Sequence, residues 1–366
     1  MMYFVFYCSL VRADPWPVYL CYSPRMKLAA LVLAILTVPV AHVAHSQQQF
    51  AEFGTCKLTS GAEIQHCRIG YRTWGALNAD RSNAVLLTTW FSGTSADLAG
   101  SVGADKLVDP GKYFIVAVDA LGDGVSSSPS NTPAPQHGPD FPAYTIQDMV
   151  NSQYRLVTET LGLKHLHAVM GISMGGIQTF EWLVDYPDML DLAIPIVGTP
   201  HPTGYDLLLM RTEEDALRSD PEFHQGRYEK SPPVPVVEAI HLLHLTTPAH
   251  FAAEEPPQKF LTEYPKAYGK GILPSDANNW LSGLVAVSGH DIGHGGPLEE
   301  AAKRVKAKVL IINAAQDHMV NPKPALDFAP LIGAKTIVLQ SDCGHLSPGC
   351  EAATLFPAIR NFLDGK

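Results

Sequence analysis

Leu166-His167-Ala168-Val169-Met170 is an apolar run of strand length, and Gly171-Ile172-Ser173-Met174-Gly175-Gly176 follows it directly. The pattern is G-x-S-x-G between a strand and a helix that runs on to Tyr186-Pro187, where proline ends it. A sharp strand-to-helix turn forces the serine into a strained backbone conformation. Larger side chains at the flanking glycines would clash, and the hydroxyl is held exposed over a helix N-terminus that favours developing negative charge. Ser173 is therefore the candidate nucleophile. The bland alternative is a tightly packed Gly/Ser turn without chemistry.

Outward from this turn the chain alternates strands and helices from about Phe50. Ala84–Trp90, Tyr113–Asp119, Leu192–Val197, Lys308–Asn313 and Thr336–Leu339 are further short apolar runs, and Ile64–Trp74 reads as a strand region with a turn. Continuous apolar strands separated by helices indicate an α/β fold: a mostly parallel, doubly wound sheet buried on both faces. Thr145-x-x-Asp148 reads as a capping box, with Ile146, Met149, Val150, Leu156 and Val157 on one helical face. Residues 355–364 read as a final helix. Between about Thr199 and Pro297 strand signals vanish and Pro, His and Glu accumulate. This stretch is expected to be an inserted helical lid that shapes a substrate pocket.

A serine hydroxyl needs a base, and the base needs an orienting acid. The expected chain order after such an elbow is Ser, acid, His. Asp317 lies just past the Lys308–Asn313 strand and His345 just past Thr336–Leu339, in loops where catalytic groups of α/β sheets gather. His345 is the candidate base and Asp317 the candidate acid. The alternatives are a loop histidine and a helix N-cap. The oxyanion hole is expected from the backbone N–H groups of Met174 and Phe91, the latter in the loop after Ala84–Trp90. No metal is expected. His290-Asp291-x-x-His294 and His241-x-x-His244 offer pairs of ligands but no evident third. Gly122-x-Gly124 lacks the third glycine of a dinucleotide site.

The net charge of -10 and the absence of any long Lys/Arg run argue against a nucleic-acid partner. Met26-Lys27, the apolar Leu28–Val40 and Ala44-His45-Ser46 have the order of a cleaved secretory signal. The apolar run is short for a membrane span. Residues 1–46 are thus read as an extension plus signal with its start at Met26, and residues 47–366 as the exported domain, with 199–297 as its lid. Beyond the signal, four cysteines form two sequence-local pairs, Cys56 with Cys67 and Cys343 with Cys350, which read as disulfides. Zinc is the rival reading, but C-x2-C spacing is missing.

Taken together, these residues resemble the homoserine O-acetyltransferase family. The resemblance runs from about Gly70 to the C-terminus. It rests on Tyr71-Arg72-Thr73-Trp74-Gly75, Ser82-Asn83-Ala84-Val85-Leu86, Thr145-Ile146-x-Asp148-Met149-Val150 and Gly171–Gly176 continuing to Glu181-Trp182 and Tyr186-Pro187-Asp188. Asp220-Pro221, Gly226-x-Tyr228 and Asp276-Ala277-Asn278 before Trp280 are similar too. The resemblance implies an α/β-hydrolase fold with a helical lid, the triad Ser173, Asp317 and His345, oxyanion donors at Phe91 and Met174, and acetyl transfer from acetyl-CoA to a hydroxyl. Two positions depart from the family pattern. Leu346 follows His345 where the family has an aspartate, and the place of a substrate-binding arginine falls at Glu214. A carboxylate there would repel the homoserine carboxylate, and export separates the protein from cytosolic acetyl-CoA. The expected activity is hydrolysis of a small acyl ester through an acyl-enzyme, without a cofactor; O-acetyl transfer is the alternative. The expected partner is a small acyl substrate, without stable membrane insertion after signal cleavage, and a homodimer is left open.

Overall fold

The computed structural model describes residues 7–11, 18–22, 46–267 and 275–366. The chain divides into two compact units, Met1–Ala44 and His45–Lys366. In the first, β1 (Tyr7–Val11) and β2 (Val18–Tyr22) pair antiparallel. The export signal read at Met26–Ser46 lies, except for Ser46, outside the described residues.

The second unit is organised on β3 (Gln49–Lys57), β4 (Glu63–Trp74), β5 (Ala84–Thr88), β6 (Phe114–Val118), β7 (Leu166–Ile172), β8 (Leu190–Ile196), β9 (Lys308–Ala314) and β10 (Lys335–Leu339). They form one sheet in the order β10-β9-β8-β7-β5-β6-β4-β3. Only β4 pairs antiparallel with its neighbours β3 and β6; all the other pairings are parallel. Side chains alternate between two cores. Leu86, Val116 and Val169 enter one, while Val85, Leu87, Ile115 and Met170 enter the other. Both faces exclude water, which is why these strands read as unbroken apolar runs.

Two strand readings change. Gln49–Lys57 was not expected as a strand, and the turn expected within Ile64–Trp74 is absent. Register shifts at Glu52, Gly54 and Thr55 in β3 absorb the irregularity, and His66 takes φ 53° without breaking β4. A bulged edge strand carries a weak alternation that sequence periodicity does not report. The Cys56–Cys67 disulfide ties the two strands, with Cα atoms 5.6 Å apart.

α1 (Ile146–Arg155) begins at the expected capping box. The Thr145 hydroxyl accepts the Asp148 N–H, and the Asp148 carboxylate accepts the Thr145 N–H. α2 (Met174–Asp185) follows β7 and packs with α1 on one face of the sheet. The described part of residues 199–297 contains no strand. It holds α3 (Gly204–Ser219), α4 (Pro235–Leu245), α5 (Pro248–Glu254), α6 (Pro257–Ala267) and α7 (Ala277–Ser288), all between β8 and β9. α8 (Leu298–Arg304) leads back to the sheet, and α9 (Lys323–Phe328) follows β9. The chain ends in the short turn α10 (Ser347–Cys350) and α11 (Ala352–Leu363). Leu355, Ile359 and Leu363 of α11 cover the face opposite α1 and α2. Among the described residues no helix is long and apolar enough to cross a membrane.

Candidate active site

The order of the sheet reverses at β5: the chain goes from β5 to β6 on one side, then crosses to β7 on the other. Carboxyl ends of strands at such a reversal frame a crevice. Phe91 follows β5 and Ser173 follows β7, so the two meet there, lining a shared chamber. Ser173 has φ 60° and ψ -122°, a strained backbone for a residue with a side chain. Its neighbours permit it. A Cβ at Gly175 would overlap the Thr88 carbonyl oxygen, and one at Gly176 would lie 2.8 Å from the Ile196 oxygen. The glycines thus serve the close approach of the turn to β5 and β8.

The other two candidates arrive from the ends of β9 and β10. His345 Nε2 is 2.8 Å from Ser173 Oγ, and His345 Nδ1 is 2.7 Å from Asp317 Oδ2. Asp317 Oδ1 accepts the Met319 and Val320 N–H groups, each at 2.9 Å. The carboxylate is therefore clamped on one oxygen and presents the other to the imidazole. The Asp317 and His345 side chains are almost wholly buried. At the expected oxyanion position, neither the Phe91 nor the Met174 N–H donates to a protein acceptor among the described residues. Met174 is the first residue of α2, so its N–H is one that the helix leaves free.

The loop carrying His345 is tied from several sides. Cys343 and Cys350 are joined by a disulfide, with Cα atoms 6.6 Å apart. The Ser347 hydroxyl donates to the Gly344 oxygen at 2.8 Å, and the Thr247 hydroxyl, between α4 and α5, donates to the Asp342 oxygen at 2.7 Å. The disulfide closes a loop of only a few residues, so it removes little unfolded-state entropy. A misplacement of about 1 Å in a catalytic group costs on the order of a hundredfold in rate. Mild reduction is therefore expected to lower turnover before it lowers the melting temperature. Protein beginning at Gln47, denatured without reductant, is expected to show no free thiol. Four thiols would exclude both bridges, and simultaneous loss of turnover and folding would assign the Cys343–Cys350 bridge to the fold.

Two spaces open on Ser173. The inner one, about 40 Å³, is walled by Phe91, Met174, Leu209, Met210, Leu284 and Val287, among others. The outer vestibule, about 670 Å³, is bounded by Trp90, Glu238, His241, Leu245, His345 and Leu346, among others. Burial pushes the Glu238 carboxyl up from its ordinary range. Both spaces are predominantly apolar, as small-molecule sites are.

The carboxylate facing the inner chamber is Glu213, not Glu214. Glu213 accepts from Trp280 Nε1 at 3.1 Å and contacts His241 Nδ1 at 3.1 Å. Glu214 turns away to pair with Arg211 and Arg218. Consecutive residues of a helix point about 100° apart, so a one-position shift decides which acid faces the serine. A signal for Glu213 was present: Asp206, Leu209, Met210, Glu213 and Leu217 form the buried stripe of α3 at helical spacing. His244 contacts the Ile240 oxygen and has no part in this chamber wall. His241 lines the chamber with Phe91, whose ring meets Trp280 of the vestibule edge-on at 4.7 Å; neither His241 nor Trp280 was given a role in the site from sequence.

Residues 91–348 match the family described as alpha/beta hydrolase fold, which spans well over half of the chain. The chain belongs to this family. Its relatives include an ethyl acetate hydrolase of Pseudomonas veronii, 33% identical over 317 residues that cover 82% of this chain and 90% of the relative. A homoserine O-acetyltransferase of Methanohalobium evestigatum is 30% identical, covering 84% and 71%. A solved acetylester hydrolase from Corynebacterium glutamicum superposes with a TM-score of 0.79 at 30% identity, covering 87% of this chain and 95% of that one. This α/β hydrolase is accordingly an enzyme, a hydrolase or acyltransferase.

Proposed function

We propose that this α/β hydrolase is an exported esterase that cleaves small acyl esters through Ser173, His345 and Asp317. The observation that carries the proposal is the unbroken hydrogen-bonded chain Asp317–His345–Ser173, opening on an apolar chamber. His345 Nε2 takes the Ser173 proton as Oγ attacks the ester carbonyl. The Phe91 and Met174 N–H groups stabilise the oxyanion, and a preorganised donor of this kind is worth about 3–4 kcal/mol. His345 then gives the proton to the departing alkoxide. Water, deprotonated by the same imidazole, releases the acid from the acyl-enzyme. Asp317 holds the imidazole in the tautomer that accepts at Nε2 and stabilises the imidazolium. The names of the Pseudomonas veronii and Corynebacterium glutamicum relatives favour an ester of small acyl size. Two disulfides in the second unit are compatible with export.

O-acetyl transfer to homoserine is the second reading, favoured by the acetyltransferase relatives. Glu213 and Leu346 oppose it. A buried carboxylate at the chamber wall repels the acceptor's carboxylate, and Leu346 supplies no charge for its amine. Purified protein is expected to hydrolyse an aryl acetate, with millimolar homoserine neither accelerating acyl-enzyme breakdown nor binding. Efficient formation of O-acetylhomoserine from acetyl-CoA would reverse the choice.

A further inference from the structure

On the far end of α2 from Ser173, the fold assembles a second polar cluster. Glu181 is buried in α2, and Asp185 lies one turn further on. The loop leading out of α7 brings His294 to both, with Nε2 2.6 Å from Glu181 Oε1 and 3.8 Å from Asp185 Oδ1. One ligand atom from each of the three residues lies within 4.8 Å of the other two. Each carboxylate has a neighbour at its other oxygen. Gln147 Nε2 donates to Asp185 Oδ2 at 2.9 Å, and His290 Nδ1 lies 3.5 Å from Glu181 Oε2.

We infer that Glu181, Asp185 and His294 form a binding site for a divalent cation of the zinc type. One imidazole and two carboxylates are a donor set that Zn²⁺ accepts, at roughly 2.0–2.2 Å per bond. Bridging by a tetrahedral cation would open the 2.6 Å His294–Glu181 contact by roughly 0.7–0.8 Å. The site is open to entry: Glu181, His290 and His294 line a surface cleft of about 320 Å³. His290 stands behind Glu181: its side chain is 1% exposed, it lines the same cleft, and its Nδ1 is the ring nitrogen that faces Glu181. A buried histidine behind a carboxylate is the support that ligating carboxylates take. The nearby Arg304 guanidinium is engaged with the Ile292 oxygen at 2.8 Å. His290 and His294 offered no third ligand in sequence. The third and fourth groups come from α2, more than a hundred residues earlier. The other clustered set, His250, Asp342 and Cys343, has no thiolate to give, because Cys343 is in a disulfide. A cation at Glu181 would pin the helix that follows Ser173 to the segment that leaves the helical insert.

Tag-free protein, stripped with EDTA and titrated with zinc chloride by calorimetry, is expected to bind one tight equivalent and to gain several degrees in melting temperature. His294→Ala and Asp185→Asn are each expected to weaken zinc binding by on the order of a hundredfold and to erase the thermal shift. Aryl acetate turnover without zinc should stay within about twofold in both, since neither residue lines the spaces at Ser173. If His294→Ala fails to fold, Asp185→Asn, on the partly exposed end of α2, decides. No binding by the wild type, or undiminished binding by the variants, overturns the site. A zinc equivalent that survives both variants and disappears in His345→Ala belongs to the triad and overturns it equally.

Discussion

Ser173→Ala is expected to abolish covalent labelling by a serine-directed phosphonate and to cut turnover by on the order of 10⁴- to 10⁶-fold. The hydroxyl is the only atom lost. Its partner His345 Nε2, at 2.8 Å, is left facing the chamber, where a water fills the role poorly because it lacks the serine's fixed position. The Phe91 and Met174 N–H groups remain, so a residual rate above background is expected. Stability should hardly change. Alanine at φ 60° carries the same backbone strain as serine, and the packing of Gly175 against Thr88 is untouched. The measurement pairs phosphonate labelling followed by mass with a thermal melt. Labelling that persists in a folded Ser173→Ala protein removes Ser173 from the mechanism.

Asp317→Asn should cost about 10⁴-fold in kcat while the protein stays folded. Asp317 Oδ1 accepts two backbone N–H groups, so the amide oxygen of asparagine must take that side. Its NH₂ then faces His345 Nδ1, where the carboxylate stood at 2.7 Å. An NH₂ donates and cannot accept, so Nδ1 becomes the acceptor and the imidazole proton moves to Nε2. A protonated Nε2 donates to Ser173 Oγ and cannot take its proton. The phosphonate labelling rate should fall with kcat, because both need the activated serine. Turnover within tenfold of wild type would show that Asp317 does not set the tautomer.

Much of the candidate site is legible in the sequence because its signals are local. The elbow needs glycines within two residues of Ser173, and both are in place. Asp317 and His345 stand out as candidates by their positions just past strand ends, which short apolar runs reveal. The edge strand Gln49–Lys57 was missed because bulges blur its period-two pattern. Counting from a motif points to Glu214, whereas the buried stripe of α3 brings its neighbour Glu213 to the chamber.

What the sequence by itself determined is what depends on neighbours along the chain: the alternation of the central strands with helices, the capping box at Thr145, the helical nature of the insert, the elbow, and the two sequence-local cysteine pairs. What only the tertiary structure decided is which distant groups meet. Glu213, His241 and Trp280 come together from three different helices, and Glu181 and Asp185 meet His294 across more than a hundred residues. Periodicity reports the face a residue occupies on its own element. The partner that face meets is set by how elements rotate and pack, and turning a helix by one residue replaces one carboxylate at the chamber wall with another.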